Sequence, residues 1–255
     1  MPAQKFHKYL RTVQKDLGHT ATYLRLALSG NRIERRTDFR KCTHPVLLLY
    51  GYGATRGVFS ILEKRLRRDG YCVFSLRLGG MFDTYNTHGI ESIAQRVHEK
   101  VERLCKRYTL KKLSVIGHSK GGLIGRYYVK RLGGRRRVRA LITLGTPHHG
   151  NPWTLLGLFS PLALISKSIW QMYPMSPFIR RLKKGPFPKH VRMASIYSKE
   201  DRVCFYKSAM LDVPPKSKNL KNIELPGITH AGLVTRQSVY HVIRRELREA
   251  ERHPL

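Results

Sequence analysis

The stretch LSVIGHSKGGLIGRYYVKRL, residues 113–132, has a short apolar run, then a Gly-x-Ser-x-Gly pentapeptide, then a helical pattern. A strand that turns sharply into a helix at such a pentapeptide leaves the hydroxyl of Ser119 exposed above the sheet. Gly117 and Gly121 suit that turn because a Cβ at either position would collide with backbone. The pattern predicts a strand, a tight turn and a helix, with Ser119 as a candidate nucleophile. The alternative is a glycine-rich loop that only packs a helix on a sheet.

Short apolar runs alternate with helical stripes along most of the chain. Six runs predict strands, at residues 45–50, 71–76, 113–116, 138–144, 191–197 and 222–225. Strands separated by helices pair in parallel through right-handed crossovers. We therefore expect an α/β protein with a doubly wound, mostly parallel sheet of about six strands. Its ligands should bind at the carboxyl ends of the strands.

The length and composition favour one large domain with a smaller segment before it. The chain has 255 residues, of which 41% are hydrophobic, which fits one large core. We expect a basic amphipathic helical segment over residues 1–40 and the main domain over residues 41–255. The helical stripe of the first segment consists of Phe6, Tyr9, Leu10, Val13 and Leu17. This stripe would pack on the main domain or attach to a membrane surface.

The sequence shows no targeting or membrane-spanning pattern. Basic residues interrupt every apolar stretch near the N-terminus before it reaches the length of a signal-peptide core. The most apolar run, residues 153–165, is shorter than the roughly 20 residues that a spanning helix needs. We expect a cytoplasmic protein, with peripheral association with a membrane as a further option.

The four cysteines, at positions 42, 72, 105 and 204, show no CxxC pair and no histidine spacing suited to zinc. We therefore expect neither a disulfide scaffold nor a zinc module.

A serine nucleophile needs an imidazole to take its proton and a carboxylate to orient that imidazole. In folds with this strand-to-helix turn, the chain order is serine, acid, histidine. Residues 120–199 contain no Asp or Glu, and Glu200 and Asp201 come directly after the fifth predicted strand. We choose Asp201 as the acid and keep Glu200 as the alternative. His230 is the candidate base because it lies between the last predicted strand and the final helix.

A tetrahedral intermediate also needs backbone N–H donors where its negative oxygen forms. One donor should be the amide of Lys120, which follows the serine. The other should be the amide of Tyr52 in Tyr50-Gly51-Tyr52-Gly53, directly after the first predicted strand. The alternative for this glycine-containing segment is a simple turn.

Taken together, these residues resemble the α/β-hydrolase superfamily, most closely its bacterial lipase and lipase-like esterase branch. The resemblance covers about residues 44–245. Its markers are YGYG at 50–53, GHSKGG at 117–122, LGTPHHG at 144–150, Asp201 and His230. It implies a serine hydrolase that cleaves carboxylic, lipid-like esters through a Ser119, Asp201 and His230 triad and an acyl-enzyme. An acyltransferase or a phospholipase with the same triad is the alternative.

Two features depart from the family pattern. Tyr50 replaces the frequent histidine before the first glycine, which leaves backbone roles untouched. The lack of a signal peptide does not fit a secreted, fat-digesting lipase.

The resemblance also implies a helical cap inserted at about residues 151–190. In this fold family the cap comes after the sixth-strand segment, here LGTPHHG. Aromatic residues of the inserted segment (residues 151–190) would line an acyl pocket: Trp153, Phe159, Trp170 and Phe178. An ordinary contribution to the core is the alternative. Some relatives bind calcium or zinc, but His148-His149 alone makes no metal site, so we expect no cofactor and no metal ion.

The charge of the chain is strongly positive, with 49 Lys and Arg against 16 Asp and Glu and a formal net charge of +33. The basic clusters are dispersed over several predicted helices and loops without interleaved aromatic residues, unlike a single-stranded nucleic-acid platform. An anionic membrane surface fits this pattern better. We therefore expect a small-molecule or lipid ester as substrate, and a monomer. A basic protein that binds anionic membranes or nucleic acid without catalysis is the alternative from a different class, as is general basicity with no partner.

Overall fold

A parallel sheet of six strands runs through the residues described by the computed structural model, which are 18–31, 37–80, 85–155 and 166–252. The strands are β1 Pro45–Leu49, β2 Cys72–Ser75, β3 Leu113–His118, β4 Val138–Leu144, β5 Arg192–Tyr197 and β6 Leu220–Glu224. Their order across the sheet is β2-β1-β3-β4-β5-β6, and every neighbouring pair is parallel. The predicted doubly wound α/β fold is confirmed.

Helices cover both faces of this sheet. In the described residues they are α1 18–28, α2 Ser60–Arg68, α3 Ile90–Tyr108, α4 Lys120–Arg131, α5 Lys167–Met172, α6 Pro177–Lys183, α7 Tyr206–Ala209, α8 Gly232–Thr235 and α9 Gln237–Arg252. The long helix α3 buries its apolar stripe, including Ile93, Val97 and Val101. Spacing of three and four residues puts these side chains on one helical face, and that face packs against the rest of the core.

The central strands are buried along their whole length, whereas the edge strand β6 is not. All residues of β1 and β3 are buried, because helices cover a parallel sheet from both sides. β6 carries Lys221 and Glu224 on exposed positions. Because one face of β6 is exposed to solvent, this strand contains fewer apolar residues than the central strands. The sequence therefore predicted it at 222–225 and missed its first two residues.

Helix α1 packs on the main body rather than standing apart from it. The Thr55 hydroxyl donates to Ala27 O at 2.8 Å, and the Gly57 amide donates to Gly30 O at 3.3 Å. The Tyr23 ring meets the His118 ring edge-on at 5.6 Å. The stripe predicted between Phe6 and Leu17 lies outside the described residues.

The position of the inserted segment in the fold corrects one expectation. LGTPHHG follows β4, the fourth strand of the described sheet, and not a sixth strand. The described residues contain no pair of strands ahead of β1, so LGTPHHG follows the fourth strand and not the expected sixth. Helices α5 and α6 both belong to the inserted segment, while residues 156–165, including Phe159, lie outside the described residues.

The structure pairs two of the four cysteines. Cys42 and Cys72 form a disulfide with a Cα–Cα distance of 5.8 Å, a bond that we did not expect from sequence. Pro45 of β1 lies opposite Cys72 of β2, and the segment that carries Cys42 runs alongside β2, where the Thr37 hydroxyl donates to Val73 O. Cys105 and Cys204 are buried free thiols.

Among the described residues, every helix is too short or too polar to cross a membrane.

Candidate active site

Ser119 sits at the junction of β3 and α4 in a backbone conformation that is rare for a residue with a side chain. Its φ is 54° and its ψ is −127°. Such a conformation costs free energy and persists only where the surroundings enforce it. The Ser119 amide donates to Leu144 O at 2.9 Å, and its carbonyl accepts from the Gly122 amide at 3.0 Å. The predicted strand, turn and helix are all present, with Ser119 at the turn.

The two glycines of the pentapeptide are required for different reasons. A Cβ on Gly117 would lie 2.5 Å from Gly122 Cα, so this glycine allows the turn itself to be tight. A Cβ on Gly121 would collide with the carbonyl of Leu49 at the end of β1. Gly121 therefore allows α4 to start directly against the central strand, a reason that the sequence motif does not disclose.

Asp201 and His230 are in direct contact. His230 Nδ1 lies 2.7 Å from Asp201 Oδ2, and the Asp201 side chain is almost fully buried. Asp201 Oδ1 accepts from the amides of Val203 and Cys204 at 2.9 and 2.8 Å. These backbone donors fix the carboxylate so that its other oxygen faces the imidazole. The structure thus brings two of the predicted site residues together.

Glu200, the alternative candidate for the acid, forms hydrogen bonds within the loops after β5 and β6. Its Oε2 accepts from the Ser198 hydroxyl at 2.7 Å and from the Gly227 amide at 2.9 Å. The hydrogen bond from Ser198 lowers the pKa of Glu200. This carboxylate connects the loop after β5 to the loop after β6 and has no described contact with His230.

Gly145, just after β4, lies against the Asp201–His230 pair. Its φ is 51°, and a Cβ there would lie 2.7 Å from Asp201 Oδ2 and 3.0 Å from His230 Nδ1. The next residue, Thr146, donates its hydroxyl to Ser119 O at 3.0 Å. Sequence reasoning used the Gly-Thr-Pro segment only as a family marker. The structure shows that it joins the serine turn to the acid and the histidine.

His118, which precedes the serine, contacts His230 as well. Its Nε2 donates to the His230 carbonyl at 3.2 Å, and the two rings have centroids 4.4 Å apart. Burial and the neighbouring His230 hold the pKa of His118 well below its usual value. A neutral His118 with its proton on Nε2 therefore anchors the backbone of His230, a role that sequence reasoning missed.

Ser119 and His230 are neighbours through these contacts, although their side chains are not bonded. Among the described residues, Ser119 Oγ forms no hydrogen bond with His230. In structures without substrate, hydrogen bonds between catalytic groups are often long or poorly aligned.

The loop after β1 lies against the serine. A Cβ on Gly51 would be 3.0 Å from Ser119 Cβ. The amide of Tyr52 donates to no described residue. The Tyr50 hydroxyl, at the position of the frequent family histidine, accepts from the Leu78 amide at 2.8 Å. The role of the Tyr52 and Lys120 amides as oxyanion donors stays a prediction.

The four aromatic residues predicted for an acyl pocket occupy different surroundings. Trp153 and Trp170 are about half exposed, at 49% and 54%. Phe178 is buried and stacks on Tyr127 with ring centroids 5.6 Å apart, so it contributes to packing between α6 and α4. Phe159 lies outside the described residues. A pocket role for the two tryptophans stays a prediction.

Polar residues that sequence reasoning did not consider dock helix α5 onto the main body. The hydroxyls of Ser166 and Ser168 donate to Thr87 O at 2.8 and 3.1 Å. Gln171 Oε1 accepts from the Ile90 amide at 2.6 Å. These side chains are buried, which makes each bond costly to lose.

The histidine pair after β4 has partners other than a metal. His148 Nε2 lies 3.0 Å from the Thr143 hydroxyl, and His149 Nε2 donates to Met210 O at 3.0 Å. Within the described ranges, no group of three or more His, Cys, Asp or Glu side chains could hold a metal ion.

The fold is that of the α/β-hydrolases. Lipase B of Aspergillus fumigatus superimposes with a TM-score of 0.69 and 17% identity, over 88% of this chain and 58% of that one. The mature lipase BlEst2 of Bacillus licheniformis gives 0.66 and 14%, over 86% and 96%. The monoacylglycerol lipase of Paleococcus ferrophilus gives 0.60 and 15%, over 88% and 98%. At these identities the similarity shows the fold alone.

The family is shown by sequence. A sequence model of the palmitoyl protein thioesterases matches residues 45–176, just over half of the chain. The chain belongs to this family of α/β-hydrolases, and it is a hydrolase that acts on esters. A search of curated proteins found no significant match.

Proposed function

We propose that the protein hydrolyses esters and thioesters of lipid-like acyl chains through Ser119, His230 and Asp201. The observation that carries the proposal is the 2.7 Å contact between His230 and Asp201 beside a strained serine turn. A structural role alone does not explain why Ser119 keeps an unfavourable backbone conformation. The chain order serine, acid, histidine is that of the fold.

In the proposed reaction, Ser119 Oγ attacks the acyl carbonyl carbon while His230 Nε2 takes the hydroxyl proton. Asp201 accepts a hydrogen bond from the Nδ1–H group of His230 and stabilises the imidazolium. The amides of Tyr52 and Lys120 stabilise the oxyanion. The C–O or C–S bond then breaks, the leaving group takes the proton from His230, and an acyl-enzyme remains. A water molecule then attacks the acyl-enzyme carbonyl in the same way, with His230 as the base. The carboxylic acid leaves and Ser119 is regenerated.

The test uses a fluorophosphonate probe and two matched substrates, a p-nitrophenyl ester and an acyl thioester of equal chain length. We expect the probe to label Ser119, and Ser119→Ala to lower kcat by roughly 10⁴- to 10⁶-fold on both substrates. Labelling of another residue, or wild-type activity in Ser119→Ala, would contradict the proposal. Comparing free acid with acylated alcohol products separates hydrolysis from acyl transfer, and a phospholipid substrate tests the phospholipase alternative.

We further propose that the face around the site meets an anionic lipid surface. Four apolar side chains, here called the apolar rim, are 40–50% exposed: Trp153, Leu155, Val203 and Phe205. Trp153 stacks on Phe205 at 5.6 Å and donates its indole N–H to Arg202 O at 2.9 Å. The rim joins the loops after β4 and β5, at the sheet edge that carries Asp201. A net charge of +33 supports attraction to anionic headgroups.

Vesicle co-sedimentation tests this second proposal. Binding to anionic vesicles should exceed binding to neutral ones, and it should fall with salt because screening acts over about 8 Å at physiological ionic strength. Trp153→Ala should weaken binding at every salt concentration. Equal binding to both vesicle types contradicts the proposal, and preferential binding to competing duplex DNA favours the nucleic-acid alternative. The location of the protein in the cell stays a prediction.

A further inference from the structure

Lys120, the residue after the serine, buries its whole side chain. Its relative exposure is 0%, which is rare for a lysine. Nζ donates to Asn86 Oδ1 at 2.8 Å, Asn86 O at 3.1 Å, His88 O at 2.6 Å and Ser168 Oγ at 3.1 Å. Within the described residues, no carboxylate lies within 4 Å of this amine.

The four neighbouring oxygens favour the charged form of Lys120. Burial lowers the pKa of this amine well below its usual value. An ammonium group offers three N–H donors, whereas a neutral amine would turn its lone pair towards an oxygen. Hydrogen bonds to the charged form offset part of the burial effect. The four oxygens around Nζ therefore suit a hydrogen-bond donor at this position. Burying the amine costs desolvation free energy that an apolar side chain in the same place would avoid.

Asn86 connects this donor to the loop that carries Tyr52. Asn86 Nδ2 donates to Tyr50 O at 2.7 Å, and its backbone exchanges hydrogen bonds with Gly53 and Ala54 at 3.2 Å each. Lys120 only donates and the Tyr50 carbonyl only accepts. One orientation of the Asn86 amide satisfies both, with Oδ1 towards Lys120 and Nδ2 towards Tyr50. Lys120 and the Tyr50 carbonyl thus together fix the orientation of the Asn86 amide.

The loop over residues 50–54 depends on these contacts at both of its ends. Gly51 lies against Ser119, and the Tyr52 amide donates to no described residue. The Lys120 amine also lies 5.5 Å from the centre of the Tyr52 ring, within the range of a cation–π contact. The position of the Tyr52 amide is therefore fixed by contacts from outside the loop: those of Asn86 with the loop and that of the Lys120 amine with the Tyr52 ring.

We propose that Lys120 is a positioning residue for the oxyanion donors: its side chain holds Asn86 and, through Asn86, the Tyr52 amide at a fixed distance from its own backbone amide. The inference rests on the proposed hydrolytic function. A positioning role affects the transition state, in which charge develops on the carbonyl oxygen, more than it affects substrate binding.

The chain contains a matched control in the same helix. Lys130 donates Nζ to Leu182 O, Lys184 O and Gly185 O at 2.9, 3.2 and 2.8 Å. Burial, with help from nearby Arg126 and Arg131, lowers its pKa to about 8. This lysine makes the same kind of carbonyl contacts, but they link α4 to the end of α6, away from Ser119. Lys120→Met and Lys130→Met therefore remove comparable contacts from two places.

The experiment measures kcat and KM on a short p-nitrophenyl ester, and the Ki of a boronate that mimics the oxyanion. We expect Lys120→Met to lower kcat by about 10²-fold, as for loss of one oxyanion donor, with KM changed by less than about threefold. The boronate Ki should rise in proportion to the loss of kcat/KM. Lys120→Gln, which keeps N–H donors, should recover part of kcat. Lys130→Met should keep kcat even if its melting temperature falls.

Asn86→Asp keeps the proposal falsifiable if Lys120→Met does not fold. The new carboxylate pairs with the Lys120 ammonium but loses the N–H donated to Tyr50, so kcat should fall by at least about tenfold. Wild-type kcat in a folded Lys120→Met or Asn86→Asp, or an equal loss in Lys130→Met, overturns the positioning role. If the fluorophosphonate still labels Ser119 in that case, the proposed function stands. If it does not label wild-type Ser119, both proposals fail.

Discussion

The serine corner (residues 117–122, Gly145, Asp201 and His230) and the inserted segment (residues 151–190) are held in place by different means. In the serine corner, glycines let backbone segments approach so closely that one additional carbon would collide. In the inserted segment, small buried hydroxyls and one amide dock helix α5 through hydrogen bonds to residues 87–90. Steric exclusion fixes the corner, and polar pairing fixes the segment.

This difference shows why one region was predicted in detail and the other was not. A glycine that must avoid a neighbour leaves a motif in the sequence, because no other residue can replace it. A serine hydroxyl that donates to a carbonyl far away in the sequence leaves no comparable pattern. Apolar residues were the visible feature of the inserted segment, yet Phe178 packs in the core and Trp153 is half exposed.

The largest effect should come from the acid in the serine corner. Asp201→Asn keeps the shape but cannot stabilise an imidazolium, so kcat should fall by about 10⁴-fold. Glu200→Gln is the matched control, one residue earlier, and should stay within about threefold of the wild type. Ester hydrolysis by both purified variants, at equal folded fraction, checks this. A greater loss in Glu200→Gln would transfer the role to Glu200.

The next effect tests steric exclusion directly. Gly145→Ala places a Cβ against Asp201 and His230, and displacing these groups by about 1 Å should cost roughly 10²-fold in kcat/KM. Gly227→Ala is its control, since Gly227 also has a positive φ, 69°, but nothing lies within 4 Å of the new Cβ. Both variants should lose about 1–2 kcal/mol of unfolding free energy from backbone strain. Comparable activity in the two would argue against steric exclusion in the corner.

Acid should affect the serine corner and the histidine pair after β4 alike, because each contains a fully buried histidine, His118 and His148. Burial holds the pKa of His118 and of His148 well below the usual value near 6.5. The unfolded chain therefore binds more protons as pH falls, so stability is present above about 6.5 and is lost below it. Between pH 7.5 and 5.0 both histidines should therefore lower the free energy of unfolding.

Urea unfolding at the two pH values measures this loss. His148→Asn should remove about half of the combined effect, whereas His241→Asn, an exposed control on α9, should leave it unchanged. An undiminished pH dependence in His148→Asn would show that His148 takes up a proton in the folded state as readily as in the unfolded chain.

The smallest effect concerns the exposed tryptophans of the inserted segment. Trp170→Ala should raise KM for a long-chain ester about fivefold more than for a short one, as expected for about 1 kcal/mol of apolar contact. Phe178→Leu is the control, because Phe178 stacks on Tyr127 and should change stability without dependence on chain length. A chain-length effect in Phe178→Leu alone would place the acyl chain on the opposite side of the segment.

The sequence by itself determined the alternating strands and helices, the serine turn, and the order of serine, acid and histidine. These features depend on periodicity and on steric rules that act within a few residues. The same rules indicated the loop after β1, since its glycines follow a strand that the apolar run PVLLLY makes evident.

Only the tertiary structure decided which distant side chains meet. It selected Asp201 over Glu200 as the partner of His230, paired Cys42 with Cys72, and directed the Lys120 amine to Asn86. Each choice depends on strand register and on burial, which set the position of groups 29 or more residues apart. A buried polar group takes whichever partner the packed chain presents, because leaving it unpaired costs about 1–3 kcal/mol. No pattern within one segment encodes that partner.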